Sequence, residues 1–432
     1  MLDINETLRV SGFGKLVKII NECPTNLNLT DIGHLELLKK KTNAILKLYQ
    51  EVEQLTKIEK ILIATDDKSL VFILLVLKIV KSRLIVNNID TELKISIVFA
   101  VYKEHNRILS QNEHPHGEDF LLRKADQLDF LLENNSKITW EMFVVDDGCP
   151  EGSGKIAQQI INKNNLSEQV KVLFLEEAIK NRLPEIGNIQ STADSQKGGS
   201  IVLGMMKAAK PRSNTGHIII YTDADLSTHL GQIGLLLDPI INQDKNAAIG
   251  SRREPTSVVI KQGVRNNRGK LFIYLWKRLL PDLGYIVDTQ CGFKAFKKEV
   301  VNIVARDLIE KKFAFDIELL LKTELLNRNS IEKVPIAWID SEAASTTTDI
   351  QPYLSMLKSI AAMYRKYLQP NTVSDEFAGF IESLTEEEFS QMVDNIPKAI
   401  LSREPFEFSD FAGVSVFDLK KTILNAETQS RG

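Results

Sequence analysis

Cysteine is scarce in this chain. Only Cys23, Cys149 and Cys291 occur among 432 residues. They are far apart and odd in number, so neither a disulfide framework nor a Cys-type zinc site is expected. Reduced thiols in a cytoplasm-like compartment are the simplest reading. No charge of one sign dominates either. The balance is 54 basic against 57 acidic residues, a formal charge of −3, and no basic surplus points to nucleic acid as a partner. Long apolar runs are missing as well. The longest, "LVFILLVLKIV" from Leu70 to Val80, contains Lys78 and falls short of the roughly 20 residues a membrane span needs. It is apolar nearly all round, which favours a buried helix over one lying on a membrane surface. The opening "MLDINETLRV" carries acids and no apolar core, so no secretory signal is read there. No G-x-G-x-x-G occurs, which removes support for a dinucleotide oxidoreductase. "GCPEGSGKI" fails as a P-loop, because Cys149 stands at the first glycine position and Ile156 follows Lys155.

What is present is ordinary globular composition, 43% apolar and 26% charged, in a chain long enough for one large α/β domain with smaller flanks. Three zones are expected. Residues 1–90 read as helical, with Thr30 and Asp31 as caps ahead of an apolar stripe through Leu35, Leu38 and Ile45. Residues 91–345 alternate short β-rich runs with helical stretches. "ISIVFAVY", "WEMFVVDD", "VKVLFL", "HIIIYTDAD", "NAAIGSR" and "IEKVPIAW" are near-continuous apolar strands, the pattern of a mostly parallel sheet covered on both faces. Residues 346–432 turn helical again, with a capping box of Thr385 and Glu388 opening "TEEEFSQMVDNI".

Two of those strands run into acids. "FVV" leads to Asp146 and Asp147, and "HIIIYT" leads to Asp223 and Asp225. Ligands of open α/β sheets sit outside the carboxyl ends of the strands. Acids one residue apart converge only if the chain turns there, and the Asp, Ser and Thr of "DADLST" favour a turn. Carboxylate oxygens suit Mg²⁺ or Mn²⁺, and Mg²⁺ takes one or two carboxylates plus substrate phosphates. The pair therefore reads as a handle for a metal diphosphate; taken alone, the same acids also read as helix caps. His229 could reach such a metal or simply lie exposed. His105, His114 and His116 fall in a polar stretch that reads as a solvated loop rather than a metal cluster.

The order of motifs adds to this. "ISIVFAVYKEHNRI", "FVVDDGCPEGS", "KGGSIVLGM", "YTDADLST", "GSRRE", "VRNNRGKLF", "DTQCGFKAF" and "FAFDIELL" resemble, in sequence order, the motifs of the inverting family 2 glycosyltransferases on the GT-A fold. The branch they resemble most is that of the dolichyl-phosphate β-glucosyltransferases and their polyprenyl-phosphate relatives. The resemblance covers about Lys94 to Trp338. It implies a nucleoside pocket lined by Tyr102 and Glu104, with Asp146 or Asp147 on the base or ribose. Lys197, Gly198 and Gly199 would lie beside the donor. Asp223, Ala224 and Asp225 would form the metal motif, with the metal on Asp223 and Asp225. Arg252, Arg265 and Arg268 would serve the phosphates, and Gln290, Cys291 and Gly292 the acceptor side. Asp316 and Glu318 are the candidate bases. Only one of these two can face the site, because positions two apart do not share a helix face. The chain departs from the pattern at Val101, where proline is common, and in the long stretch His105–Gln127. The flanks 1–90 and 370–432 match nothing, and the membrane segments common in this branch are missing.

The expectation is a metal-dependent inverting hexosyltransferase with a GT-A core, α/β with a mostly parallel central sheet and helical extensions. UDP-glucose is favoured as donor by the branch, with GDP-mannose second. A water-soluble hydroxyl compound or a protein is expected as acceptor, because the anchor is missing. Transfer to a polyprenyl phosphate at a membrane surface is one alternative, and an inactive scaffold is another. A cytoplasmic protein without a membrane span is expected, with contact at a membrane surface left open.

Overall fold

The structure, a computed structural model, describes residues 4–210, 215–260, 267–340 and 351–430. The chain divides into two compact units. One comprises residues 1–262, 291–306 and 330–344; the other comprises 263–290, 307–329 and 345–432.

The first unit opens with five helices, α1 (Ile4–Val10), α2 (Gly14–Asn21), α3 (Ile32–Leu46), α4 (Val52–Ile63) and α5 (Val71–Asn87). Asp31 caps α3, its carboxylate accepting from the His34 N–H at 2.9 Å. The strands that follow are β1 (Leu93–Val101), β2 (Ile138–Asp146), β3 (Val170–Phe174), β4 (Gly216–Thr222), β5 (Ala247–Ser251), β6 (Val258–Ile260), β7 (Phe293–Lys297), β8 (Ile331–Pro335) and β9 (Ala337–Ile339). Seven of them form one sheet in the order β3-β2-β1-β4-β7-β5-β8, and β6 pairs with β9 in a second. All pairings in the large sheet are parallel except those of β7, which runs antiparallel to β4 and β5. The expected mostly parallel α/β core is the one observed.

Strand β1 shows why the sheet has this composition. Ile95, Ile97 and Phe99 join the core shared with α5. Val98 on the other face meets the helix Gly198–Ala209, where a Cβ on Gly204 would fall onto Val98 and Val145. Both faces are covered, so both must be apolar. The exceptions are paired. Ser96 Oγ donates to Glu141 at 2.8 Å and lies 2.8 Å from His217 Nε2, tying β1 to both neighbours. A slip of one residue would turn Ser96 toward the apolar core, so the trio helps set the register.

Helix α5 is buried on nearly every side, as its all-round apolar sequence requires. Lys78, Lys81, Ser82 and Arg83 go inward, each with a partner. Lys78 Nζ donates to the carbonyls of Thr256 and Pro335 at 3.0 Å each and pairs with Glu59 at 2.7 Å. Lys81 pairs with the same carboxylate. Ser82 Oγ accepts from the Gly234 N–H at 2.7 Å. Any side chain at Gly234 would collide with the Ser82 carbonyl, so glycine sets how closely α5 approaches the helix Ile233–Asn242. Arg83 donates to Asn43 at 2.7 Å and lies 4.1 Å over the Phe130 ring. Among the described residues, no helix is long and apolar enough to cross a membrane.

The second unit is helical, with Asn267–Leu279, Phe315–Leu326, Gln351–Tyr367, Thr372–Ser383 and Glu386–Asp394 as its longer pieces before Val416–Ser430. Tyr274 centres its core, ringed by Phe377, Phe408 and Phe411, and its hydroxyl donates to the Val414 carbonyl at 2.6 Å. The Thr385–Glu388 capping box forms as expected.

Glu59, 1% exposed, is the counter-ion of both Lys78 and Lys81. Glu59→Ala should cost about 3–5 kcal/mol, the usual penalty for stranding a buried partner. Urea unfolding of the full chain measures this, and a loss below about 1 kcal/mol would rule out a buried ionic anchor here.

Candidate functional site at the switch point of the sheet

From β1 the chain moves outward to β2 and β3, then returns to β4 on the other side of β1. The carboxyl ends of β1 and β4 therefore flank a topological switch point, where open α/β sheets bind ligands. Tyr102 and Glu104 follow β1, and Asp223 and Asp225 follow β4. Tyr102 is 49% exposed, and Lys103 takes a left-handed φ of 57° between the two. The turn after β4 is built by Asp225 itself, whose Oδ1 accepts from the N–H and the hydroxyl of Ser227 at 3.1 and 2.5 Å. From below, the fully buried Lys124 donates to the Asp225 carbonyl at 2.8 Å. The Asp223 N–H donates to the Gly292 carbonyl at 3.1 Å. A Cβ at Gly292 would land on the Asp223 carboxylate, which is why "CGF" carries glycine there. Beside it, buried Cys291 accepts from Lys294 Nζ through its carbonyl at 2.5 Å. Ala224, 7% exposed, packs into the core between the two acids.

Asp146 and Asp147, one of which is expected at the nucleoside, both bind the chain around them. Asp146 accepts from the N–H groups of Gly148, Cys149 and Gly154 at 3.0, 2.9 and 2.7 Å, closing the turn into the helix Ser153–Lys163. Asp147 accepts from the Ser195 and Ser200 hydroxyls at 2.5 and 2.6 Å and from the Lys197 N–H at 2.7 Å. Both carboxylates are nearly inaccessible, at 5% and 6% exposure. They hold the turn that presents Lys197. Gln196 and Lys197 adopt left-handed φ values of 41° and 88°, a conformation that costs about 1–3 kcal/mol in a non-glycine residue and persists only where the surroundings impose it. The return is that Lys197 Nζ reaches Asp223 Oδ1 at 2.5 Å. Gly199 is needed for packing, since a side chain there would strike Ile189 and Ser195. Gly198 beside it starts the helix.

Charge is concentrated here. Glu104 pairs with Arg107 at 3.1 Å, and Arg107 pairs with Glu118 at 3.1 Å. Burial pushes the Glu104 carboxyl up to about 7; Arg107 opposes the shift, and Asp225, Glu118 and Asp223 add to it. Burial likewise pulls Lys124 down to about 8 against the pull of Asp225, Asp223 and Glu118. Burial alone would raise Asp223, but Lys197 outweighs it, helped by Arg252 and Lys294, and holds the group below its ordinary value. Arg252 itself lies 5.5 Å over the Trp338 ring. His229 is buried rather than exposed. It is 3% exposed, its Nδ1 accepts from the Gly231 N–H at 2.9 Å, and burial keeps it neutral at about 3.

No group of three or more His, Cys, Asp or Glu arranged to hold a metal exists among the described residues. The acids still fit a divalent ion of the Mg²⁺ or Mn²⁺ kind. Asp223 and Asp225 offer hard oxygens, and their Oδ2 atoms accept no hydrogen bond among the described residues. Nearby, the buried Glu104 carboxylate has Arg107 as its ion-pair partner. Two carboxylates plus a diphosphate is an ordinary ligand set for such an ion.

The remaining candidates lie in the second unit. Arg268 stands in the first turn of the helix Asn267–Leu279, and Arg265 falls outside the described residues. Gln290 keeps a buried side-chain N–H₂ without an acceptor. Asp316 is buried in the first turn of the helix Phe315–Leu326. Glu318 is not a free base. It is 0% exposed and accepts from the Ile309 and Glu310 N–H groups at 2.8 and 2.7 Å and the Tyr367 hydroxyl at 2.6 Å. It latches a loop.

Sequence reasoning missed Lys124, Lys294 and the Arg107–Glu118 pair. Lys124 did leave a signal: it stands at helical spacing from Phe120 and Leu128, on a face that is otherwise apolar.

No protein-family model matches the chain. It is 26% identical over 293 residues to dolichyl-phosphate β-glucosyltransferase of Saccharomyces cerevisiae, covering 65% of this chain and 76% of the yeast enzyme. It is 28% identical over 283 residues to the Homo sapiens enzyme of the same name, covering 64% and 76%. The chain is a homologue of these hexosyltransferases. The branch read from the motif order is the one these relatives belong to, and the expected enzyme class is theirs. Among solved structures, glucosyl-3-phosphoglycerate synthase of Mycobacterium tuberculosis overlays with a TM-score of 0.44 and 15% identity, covering 67% of this chain and 86% of that one; an overlay that loose says nothing of the site.

The raised Glu104 carboxyl has a consequence for stability. With a folded value of about 7 against an ordinary 4.5, the native state holds this proton more tightly than the unfolded chain. Its contribution is full below about pH 4.5 and is lost as pH rises toward about 7. The stability gap between Glu104→Gln and the parent should therefore shift in favour of the variant between pH 4.5 and 7.5. Denaturant titrations across that range check it; a constant gap would mean that Glu104 ionises as an ordinary surface acid does.

Proposed function

We propose that this chain is a metal-dependent inverting glycosyltransferase that takes glucose from UDP-glucose and delivers it to a hydroxyl of a water-soluble acceptor or a protein. The observation that carries the reading is the meeting, at the switch point, of the two open carboxylates after β4 with a lysine held against one of them by a strained turn. The relatives' names support glucose over mannose and hence UDP over GDP as the nucleotide.

Transfer breaks the bond from the anomeric carbon to the diphosphate, whose oxygens take the electron pair. The acceptor oxygen bonds the opposite face of that carbon and gives up its proton. Asp223 and Asp225 would hold Mg²⁺ or Mn²⁺, which when bound offsets charge growing on the leaving diphosphate. Lys197 adds a positive group at the same acids, and a flexible ammonium can exchange a carboxylate for a phosphate oxygen. Arg252 and Arg268 supply guanidinium groups suited to phosphate. Asp146 and Asp147 hold the turn that presents Lys197. Asp316 serves as the base that takes the hydroxyl proton.

A second reading has the relatives' names in its favour: transfer to a polyprenyl phosphate at a membrane surface. There the nucleophile is already ionised and needs no base. Asp316→Asn separates the two. A hydroxyl acceptor predicts a loss of about 10²–10⁴ in turnover, whereas a phosphate acceptor predicts little change.

Asp225→Asn should cut turnover by about 10²–10³ with the fold intact. Chelator should abolish parent activity, and Mg²⁺ or Mn²⁺ should restore it. Full activity in either case would remove the metal assignment. No donor hydrolysis with any nucleotide sugar would leave the scaffold reading. UDP with Mn²⁺ should also raise the melting temperature more than GDP does, because a ligand bound by the native state stabilises it. The reverse order would move the donor to a GDP sugar.

A further inference from the structure

A cavity of about 690 Å³ opens in the first unit beside the candidate donor site, within the roughly 300–1,000 Å³ typical of small-molecule pockets. Its position ties it to the catalytic acids on two sides. The Ile339 N–H on its wall donates to the Ser227 carbonyl at 2.9 Å, and the Ser227 N–H donates to Asp225 at 3.1 Å. Glu118 on another wall reaches Glu104 through Arg107. A third wall comes from the N-terminal helical segment: the loop before α3, with Asn26 and Asn28, and Lys68 and Val71 at the start of α5.

The lining indicates what would bind. Asn28 is committed to its own turn, accepting from the Thr30 N–H and hydroxyl at 2.8 Å each. That turn holds Thr25 and Asn26 at the rim, where both are exposed, and Gln111 faces them from the loop after β1. None of these three makes a hydrogen bond among the described residues. Leu27, Val71 and Ile339 supply aliphatic walls. Among the described lining residues the charges are few and balanced. Glu118 is committed to Arg107, which leaves one ammonium, Lys68, and one carboxylate, Asp340, with the His116 imidazole. A phosphate would meet one lysine and one opposing acid, a poor anion site. An uncharged ring with hydroxyls on its edge and an apolar face meets amides, hydroxyls and aliphatic walls together.

We infer that this cavity binds the neutral, hydroxyl-bearing part of the acceptor, a glycoside or polyol, so that the N-terminal segment selects what the transferase core glycosylates. The inference rests on the transferase reading above and deepens it.

The test uses the full chain, with methyl β-D-glucopyranoside and inorganic phosphate as separate probes in titration calorimetry or ligand-observed NMR. The Asn26→Ala/Gln111→Ala double variant changes only exposed side chains. Its melting temperature and its stabilisation by UDP with Mn²⁺ should match the parent. The glycoside should bind the parent and bind the variant at least tenfold more weakly, and phosphate should bind neither appreciably. No glycoside binding to the parent, equal binding to the variant, or displacement of the glycoside by UDP would overturn the inference. So would phosphate binding that the variant loses, which would make the cavity an anion site. If UDP fails to stabilise either protein while the variant still loses the glycoside, the donor assignment falls and the cavity assignment stands.

Discussion

Like charges at one sheet edge repel, and the surroundings of Glu104, Glu118, Asp223 and Asp225 are arranged to hold them there. Cations from several elements meet these acids. Arg107, in the loop after β1, spans Glu104 and Glu118. Lys197, after β3, meets Asp223. Lys124 lies beneath the Asp225 turn, and Lys294 on β7 adds to the field at Asp223. Lys124, Lys197 and Lys294 lie far in sequence from the acids they serve, so their part of the site exists only once the sheet has formed. Burial, more than the neighbouring acids, raises the Glu104 carboxyl.

The strained turn at Gln196 and Lys197 follows from the same constraint. Placing an ammonium against Asp223 requires the backbone to bend where the preceding residues are already committed, and Asp147 takes up that bend with three hydrogen bonds. A buried acid that accepts from two serines and a backbone N–H is a rigid fixture. The position of Lys197 is thus set in the ligand-free protein, which lowers the cost of meeting a diphosphate.

Much of this was legible in the sequence. Strands buried on both faces announce themselves as apolar runs, so β1, β2, β4 and β5 were read directly, and so were the acids at their ends. Strand β7 escaped because Lys294 and Lys297 break its apolar pattern, although Lys294 is buried against the Tyr221 ring. Strands β6 and β9, three residues each, are too short to show a period. The helix Phe120–Leu132 was hidden in what read as one long polar loop, because Asp119 before it takes a left-handed φ of 50° and supplies no side-chain cap. The structural use of Asp147 and Glu318 was also out of reach. Acids at a strand end or helix start look alike whether they meet a ligand or their own backbone. The partners that decide it, Ser195, Ser200 and Tyr367, lie far away in the chain.

Helix α5 carries no chemistry, yet its inward polar residues each answer a group elsewhere in the first unit: two carbonyls after β5 and β8, a carboxylate on α4, and a backbone N–H at Gly234. Such a helix drifts slowly in evolution. An apolar position can accept another apolar residue of like volume, but Lys78, Ser82 and Gly234 can change only together with the atoms they touch. Sequences sharing this N-terminal segment should therefore vary on the exposed faces of α1 and α2 while keeping the polar pattern of α5, and that pattern would mark the segment in chains too distant for overall identity to find.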